Sequence, residues 1–167
     1  MPSPRLLPWM ANCFWLMLPV LGLNLAFAGG LPPAFRPEVF WAGVPPWLTL
    51  VENGTRTLLT GLTLALPLRL STGAERRGFG LYLVGLVAYA AAFLALVLAP
   101  QTGWSLSLWG FAAPAYLPVL WLAGIGLVGS GGAAGWQRVA LMAYGACAAA
   151  FLAAHITHTL LLFGRPV

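Results

Sequence analysis

The chain has 167 residues, of which 60% are hydrophobic and 7% are charged, and arginine is its only strongly basic residue type, with a net charge of +5. A soluble domain needs about 25% charged residues to cover its surface, so this composition excludes an ordinary soluble enzyme or binding domain. The arginines lie at the ends of hydrophobic runs, which indicates contact with membrane lipids and argues against a nucleic-acid partner.

Five hydrophobic runs each approach the roughly 20 residues that a helix needs to cross a bilayer. We therefore predict an all-α polytopic membrane protein, with a single transmembrane domain over residues 1–167 built as a bundle of five helices. The predicted helices cover residues 6–28, 47–70, 78–98, 104–128 and 136–163. The abundance of arginine, alanine, leucine and glycine is typical of a GC-rich bacterial genome, so we expect an inner (plasma) membrane protein.

The first run resembles a secretory signal, because Arg5 precedes it and an A-x-A pattern, Ala26-Phe27-Ala28, ends it. However, it is longer than the roughly 7–15 residues of a signal core, and it contains two tryptophans. These features favour a first helix that is retained.

Residues 29–46 combine five prolines with Phe35, Phe40 and Trp41. Proline disfavours a spanning helix, and aromatic side chains gather at the membrane–water interface. We predict an interfacial loop here, with one helical turn at residues 37–41; a lid over a pocket is the alternative.

The second predicted helix contains Glu52, Asn53 and Arg56. Ionisable groups at membrane depth are energetically expensive and usually functional, so this helix is the best indication of a site. Glu52 and Arg56 are spaced i,i+4 and share a helix face. They form either a structural ion pair or a pair that grips a ligand or exchanges protons.

The orientation follows from the distribution of arginine, which favours the cytoplasmic side. The link after the second helix holds Arg69, Arg76 and Arg77, and we place it inside the cell. Arg5 and Arg138 are then also inside, whereas Arg36 and Arg165 are outside. The sequence therefore predicts a cytoplasmic N-terminus and an external C-terminus.

The fourth predicted helix contains Pro114 and Pro118 on either side of Tyr116. Each proline removes a backbone hydrogen bond and kinks the helix, so we expect a bend at mid-membrane that faces other helices. The fifth helix has an alanine stripe at Ala146, Ala150 and Ala154, which favours close approach of a neighbour.

The predicted topology brings several polar side chains to one level in the outer leaflet. We predict a ligand-binding pocket there, formed by Glu52, Arg56, His155, His158, Asn24 and Tyr116.

The histidine pair admits two interpretations. His155 and His158 share a helix face, and with Glu52 they supply three possible ligands for zinc. A helix-end pair that is hydrogen-bonded to its neighbours is the interpretation we favour. Haem ligation is disfavoured because both histidines lie on one helix. The cofactor, if any, is unknown.

Two other patterns are not expected to be functional. Gly124–Gly129 matches GxGxxG, but this fingerprint requires a strand before a helix, and here it lies inside an apolar helix. Asn53-Gly54-Thr55 matches a glycosylation sequon inside a predicted span. Cys13 and Cys147 lie in apolar segments, and we interpret them as packing residues.

The pieces ENGTR (residues 52–56) with LALPL after it, and GFAAPAYLPVLWLAGIGL (residues 110–127), resemble an uncharacterised family of small bacterial multi-pass membrane proteins. That family shows an ENxxR-type second helix and an APAY-P-LIW-type fourth helix. The resemblance implies no activity. It places Glu52, Arg56, Pro114, Tyr116 and Pro118 among the residues to test first.

Three functions remain open from the sequence. The one that we favour is non-enzymatic: a small carrier or a lipid- or small-molecule-binding protein with an outer-leaflet polar pocket. The alternatives are an intramembrane metal-dependent enzyme, and a subunit or assembly factor of a larger membrane complex. Membrane lipids are the expected partners, together with further copies of the chain or a larger complex.

Overall fold

The computed structural model describes residues 11–131 and 133–163, and over these residues the chain is all-α, with no β-strand. Among these residues three segments are long and apolar enough to cross a membrane, namely Gly73–Leu98, Leu108–Gly129 and Trp136–Phe163. The all-α prediction is therefore confirmed, and three helices have the length and composition of membrane spans, whereas five spans remain a prediction. The first two predicted spans are shorter helices in the structure.

The α-helices are, in chain order, α1 (Met17–Ala28), α2 (Pro37–Phe40), α3 (Pro46–Leu62), α4 (Gly73–Leu98), α5 (Gly103–Leu106), α6 (Leu108–Tyr116), α7 (Pro118–Gly129) and α8 (Trp136–Phe163). Single 3₁₀ turns lie at Cys13–Leu16, Pro33–Phe35 and Thr63–Ala65.

Several helix bounds differ from the prediction for local reasons. The helix predicted over residues 47–70 ends at Leu62, because a 3₁₀ turn follows and Leu66 is already extended. The helix predicted from residue 78 begins at Gly73 because Thr72 and Glu75 form a capping box. The prediction for residues 6–10 of the first helix lies outside the described residues.

Over Leu108–Gly129, the fourth predicted helix is divided only at Leu117, whose own backbone is helical (φ −59°, ψ −27°). After the short α5, the span consists of α6 and α7, which meet at Leu117, and Pro118 is the first residue of α7. Proline suits the first turn of a helix because its missing N–H has no intrahelical partner there. Pro114 lies inside α6.

Helices α4 and α7 pack with their backbones in close contact. A Cβ atom placed on Gly124 would lie 2.5 Å from the main-chain nitrogen of Tyr82, and one on Gly85 would lie 2.6 Å from that of Trp121. Only glycine fits at such distances, as in other close helix pairs in membranes. The GxGxxG pattern therefore contains a packing glycine, and no dinucleotide-binding turn occurs there.

Helix α3 packs mainly against α8. Its threonine hydroxyls bond within the helix: Thr55 to the carbonyl of Val51, Thr57 to that of Asn53 and Thr60 to that of Arg56. These bonds satisfy the threonine hydroxyls within the helix itself. The α3–α8 pair and the α4–α7 pair thus form two sides of the bundle, and α1 packs onto α4.

Candidate functional site

Glu52 lies on the face of α3 that packs against α8, and its side chain is completely buried. Its Oε1 accepts a hydrogen bond from Arg56 Nη2 at 2.6 Å and lies 2.9 Å from Nδ1 of His155. Its Oε2 lies 2.6 Å from Nδ1 of His158. The carboxylate therefore joins α3 to both imidazoles of α8.

His158 connects this cluster to the segment between α1 and α3. Its Nε2 lies 2.8 Å from the main-chain oxygen of Phe40, and its ring centroid lies 4.1 Å from that of Phe40 and 4.8 Å from that of Trp41. Because a carbonyl oxygen only accepts hydrogen bonds, Nε2 must carry a hydrogen. The segment that contains Phe40 and Trp41 is thus attached to the buried carboxylate through one imidazole.

Arg56 extends from the buried cluster toward open space. Its side chain is 45% exposed, although Glu52 beside it is buried. Its guanidinium carbon lies 5.4 Å from the ring centroid of Phe151. This cation–π contact and the bond to Glu52 hold the guanidinium in place and leave part of it accessible.

Asn24 and Tyr89 supply polar groups from α1 and α4. The Tyr89 hydroxyl donates to Asn24 Oδ1 at 3.0 Å, and Asn24 Nδ2 donates to the Val20 carbonyl at 2.8 Å. These bonds fix both side chains. A buried tyrosine usually finds such a partner for its hydroxyl.

Two cavities lie against these residues. The loop cavity, about 380 Å³, is lined by aromatic residues of the α1–α3 segment and by residues of α6, including Phe35, Phe40, Trp41, Phe111 and Pro114. The core cavity, about 260 Å³, is lined by apolar residues deeper in the bundle, including Met17, Leu59, Pro118, Trp121 and Phe151.

The same four polar side chains line both cavities: Asn24, Arg56, Tyr89 and His155. They form the polar junction between two mostly apolar spaces. The loop cavity has the size of known small-molecule sites, which are typically 300–1,000 Å³ and largely apolar with a few polar groups. The arrangement can therefore hold a ligand that has one polar and one apolar part.

The structure brings together most of the residues predicted for the pocket. Glu52, Arg56, His155 and His158 form one hydrogen-bonded cluster, and Asn24 lies at the polar junction. Tyr116 is apart from them. It lines neither cavity, and its hydroxyl donates to the Trp109 carbonyl at 3.3 Å.

Tyr116 lies outside the site because of its direction from α6. Pro114 and Ala115 line the loop cavity, whereas the Tyr116 ring packs against Trp109 of its own helix.

Two participants were not anticipated from the sequence. Tyr89 lies in a long apolar run, and its need for a hydrogen-bond partner was the only signal that could have indicated its role. The role of the Phe40 main-chain oxygen cannot be predicted from a pattern of side chains, because every residue has such an oxygen.

The histidines are not arranged as metal ligands. Among the described residues, no three His, Cys, Asp or Glu side chains are placed to hold a metal ion together. Both Nδ1 atoms contact oxygens of one carboxylate, and the second nitrogen of His158 is bonded to Phe40. This geometry gives no support to the metal-dependent enzyme.

No family model, curated protein or solved structure matches the chain. The resemblance to uncharacterised small multi-pass proteins remains a prediction. Of the residues that it singles out, Arg56, Pro114 and Pro118 line the cavities and Glu52 supports Arg56.

Proposed function

We propose that the chain is a multi-pass inner-membrane protein that binds a small molecule or a lipid in its two cavities, and that it acts as a carrier rather than an enzyme. In this proposal all five hydrophobic segments cross the membrane, with the N-terminus in the cytoplasm and the C-terminus outside. The loop cavity then lies in the outer leaflet, beside the interfacial aromatic residues.

The observation that carries the proposal is the polar junction. Four polar side chains from α1, α3, α4 and α8 face two otherwise apolar spaces, and their positions are fixed by hydrogen bonds or ring contacts. Ordered polar groups around an apolar space are typical of ligand sites. An ion pair with a purely structural role would need no cavity beside it.

A carrier is favoured over a static binding protein by the two prolines near the junction of α6 and α7. Pro114 and Ala115 of α6 line the loop cavity, whereas Pro118 and Trp121 of α7 line the core cavity. The junction of α6 and α7 therefore lies where the span passes from one cavity to the other. Prolines remove backbone hydrogen bonds at this junction, which makes it the natural place for the helix to bend.

The test is whether the loop cavity retains a ligand through purification. We would purify the full chain in a mild detergent and analyse the bound small molecules and lipids by native mass spectrometry. Ala28 lines the loop cavity, and Ala28→Trp should fill it. Ala26, an exposed residue of the same helix that lines neither cavity, provides the matched control Ala26→Trp.

A ligand that is retained by the wild type and by Ala26→Trp but lost from Ala28→Trp would support the proposal. Equal occupancy in all three proteins would place the ligand elsewhere. An empty wild type, together with no saturable binding of added amphiphiles, would argue against ligand binding in these cavities.

A further inference from the structure

We infer that the ligand is an anion with an apolar body, and that its negatively charged oxygens bind to Arg56 at the polar junction. This inference rests on the proposed function and names the class of ligand. The inference follows from the net charge of the cluster, from the N–H groups of Arg56 that do not bond to Glu52, and from the residues that line the cavities.

The charge of the cluster is fixed by its hydrogen bonds. Each contact between a Glu52 oxygen and an Nδ1 atom contains one proton, and a third proton lies between His158 Nε2 and the Phe40 carbonyl. Without these protons, the Glu52 carboxylate and the two imidazole rings would carry three negative charges in total. With the three protons, Glu52, His155 and His158 together have no net charge. The result does not depend on which atom of each pair carries the proton.

Arg56, which is paired with Glu52, adds one positive charge to this neutral set of three groups, so the cluster as a whole has a net positive charge. A proton on the remaining nitrogen of His155 would increase this excess, so the junction carries at least one net positive charge. The other two acidic residues line neither cavity: Glu38 is exposed on α2, and Glu75 belongs to the capping box at the start of α4. A cation beside apolar walls attracts an anion strongly, because little water screens it.

The guanidinium has room for that anion. Among the described residues, its only hydrogen-bond partner is Glu52 Oε1, which contacts Nη2. Arginine has five N–H donors in a planar fork that suits carboxylate and phosphate oxygens. The exposed part of Arg56 faces both cavities, so an anionic group at the junction can reach it from either one.

The other residues that line the cavities determine what kind of group fits beside the anionic end of the ligand. The loop cavity presents the rings of Phe35, Phe93 and Phe111, and the core cavity presents Met17, Leu59 and Phe151. Such walls favour an apolar chain or ring over a sugar or a free inorganic ion. The ligand therefore belongs to the class of anionic amphiphiles, whose headgroup is a carboxylate or a phosphate.

The test uses defined probes and the full chain in nanodiscs of zwitterionic phospholipid. Binding of labelled dodecanoate, dodecyltrimethylammonium and inorganic phosphate is measured, and uptake by empty nanodiscs is subtracted. We expect saturable binding of dodecanoate only. Arg56→Gln should weaken it about tenfold or more, because a charge-assisted hydrogen bond is lost. Arg138, an exposed arginine that lines neither cavity, supplies the control Arg138→Gln.

The outcomes separate this inference from the proposed function. Equal binding of the cationic probe, or dodecanoate binding that survives Arg56→Gln, would contradict the inference that the ligand is an anion. The proposed function of ligand binding would still stand. Binding of phosphate as tight as that of dodecanoate would overturn the apolar body. If no probe binds saturably and the purified wild type contains no ligand, the inference and the proposed function are both wrong.

Discussion

The Nε2 atom of His158 lies 2.8 Å from the main-chain oxygen of Phe40, although the two residues are 118 positions apart in the sequence. Since Nδ1 of the same ring contacts Glu52, and Glu52 contacts Arg56, a continuous line of hydrogen bonds runs from the segment around α2 to the cavities. The segment around α2 is therefore held by the same carboxylate that orients Arg56.

His158→Phe should loosen the interfacial segment. Phenylalanine keeps the ring contacts with Phe40 and Trp41 but removes the bond to the Phe40 oxygen. We expect faster amide hydrogen exchange over residues 36–43, because the segment can then open locally without breaking that bond. His155→Phe is the matched control: it also removes one bond to Glu52 but none to Phe40. Equal exchange in the two variants would show that His158 does not hold the segment.

Glu52→Ala should destabilise the protein strongly. The substitution leaves Arg56, His155 and His158 without their common acceptor, and removing one partner of a buried ion pair typically costs about 3–5 kcal/mol. Thermal unfolding of the detergent-solubilised protein measures the loss. Glu38 is exposed on α2, so Glu38→Ala should leave the melting temperature unchanged. Similar melting curves for both variants would mean that the buried cluster contributes little to stability.

Gly124→Ala should separate α4 from α7. The new Cβ would lie 2.5 Å from the main-chain nitrogen of Tyr82, so one backbone has to move, and overpacking typically costs about 1–3 kcal/mol. Gly80 on α4 has nothing within 4 Å of its Cβ position, so Gly80→Ala should cause no loss of stability. The comparison is again made by thermal unfolding. A Gly124→Ala protein as stable as the wild type would contradict the close packing.

Single cysteines should reveal a crossing by α3. In a background with Cys13 and Cys147 replaced, Glu38→Cys and Ser71→Cys lie on either side of this helix, and both positions are exposed. We expect a membrane-impermeant thiol reagent to label Glu38→Cys in intact cells, and Ser71→Cys only after permeabilisation. Labelling of both positions in intact cells would place both ends of α3 outside and would remove the basis for the five-span topology.

Much of the fold could be predicted because it depends on local composition. The apolar length of the last run gives α8 its limits, and the proline–aromatic pattern gives the helical turn at α2. Helix α4 begins before residue 78, because the capping box of Thr72 and Glu75 outweighs the polar character of the residues after it. Helix α3 ends before residue 70, because Leu66 and Pro67 are apolar without being helical.

The cluster at Glu52 could be predicted because membrane depth restricts where ionisable side chains lie, and helical spacing aligned the two histidines. The cavities and their lining could not be predicted, because they depend on the packing of several helices. Tyr116 illustrates the difference: its position beside two prolines indicated a role, but its ring contacts Trp109 on the same helix. A sequence pattern predicts the depth of a residue along its helix, but it does not predict the direction in which the side chain points.

The missing side chains of Gly85 and Gly124 have a consequence beyond stability. Gly85 is one helical turn before Tyr89, and Gly124 is one turn after Trp121, and both aromatic residues line the core cavity. Because the backbones of α4 and α7 touch at these glycines, the glycines set the distance between the two helices and thereby the width of the core cavity. Adding a single methyl group at either glycine would change that width without changing any residue that lines the cavity.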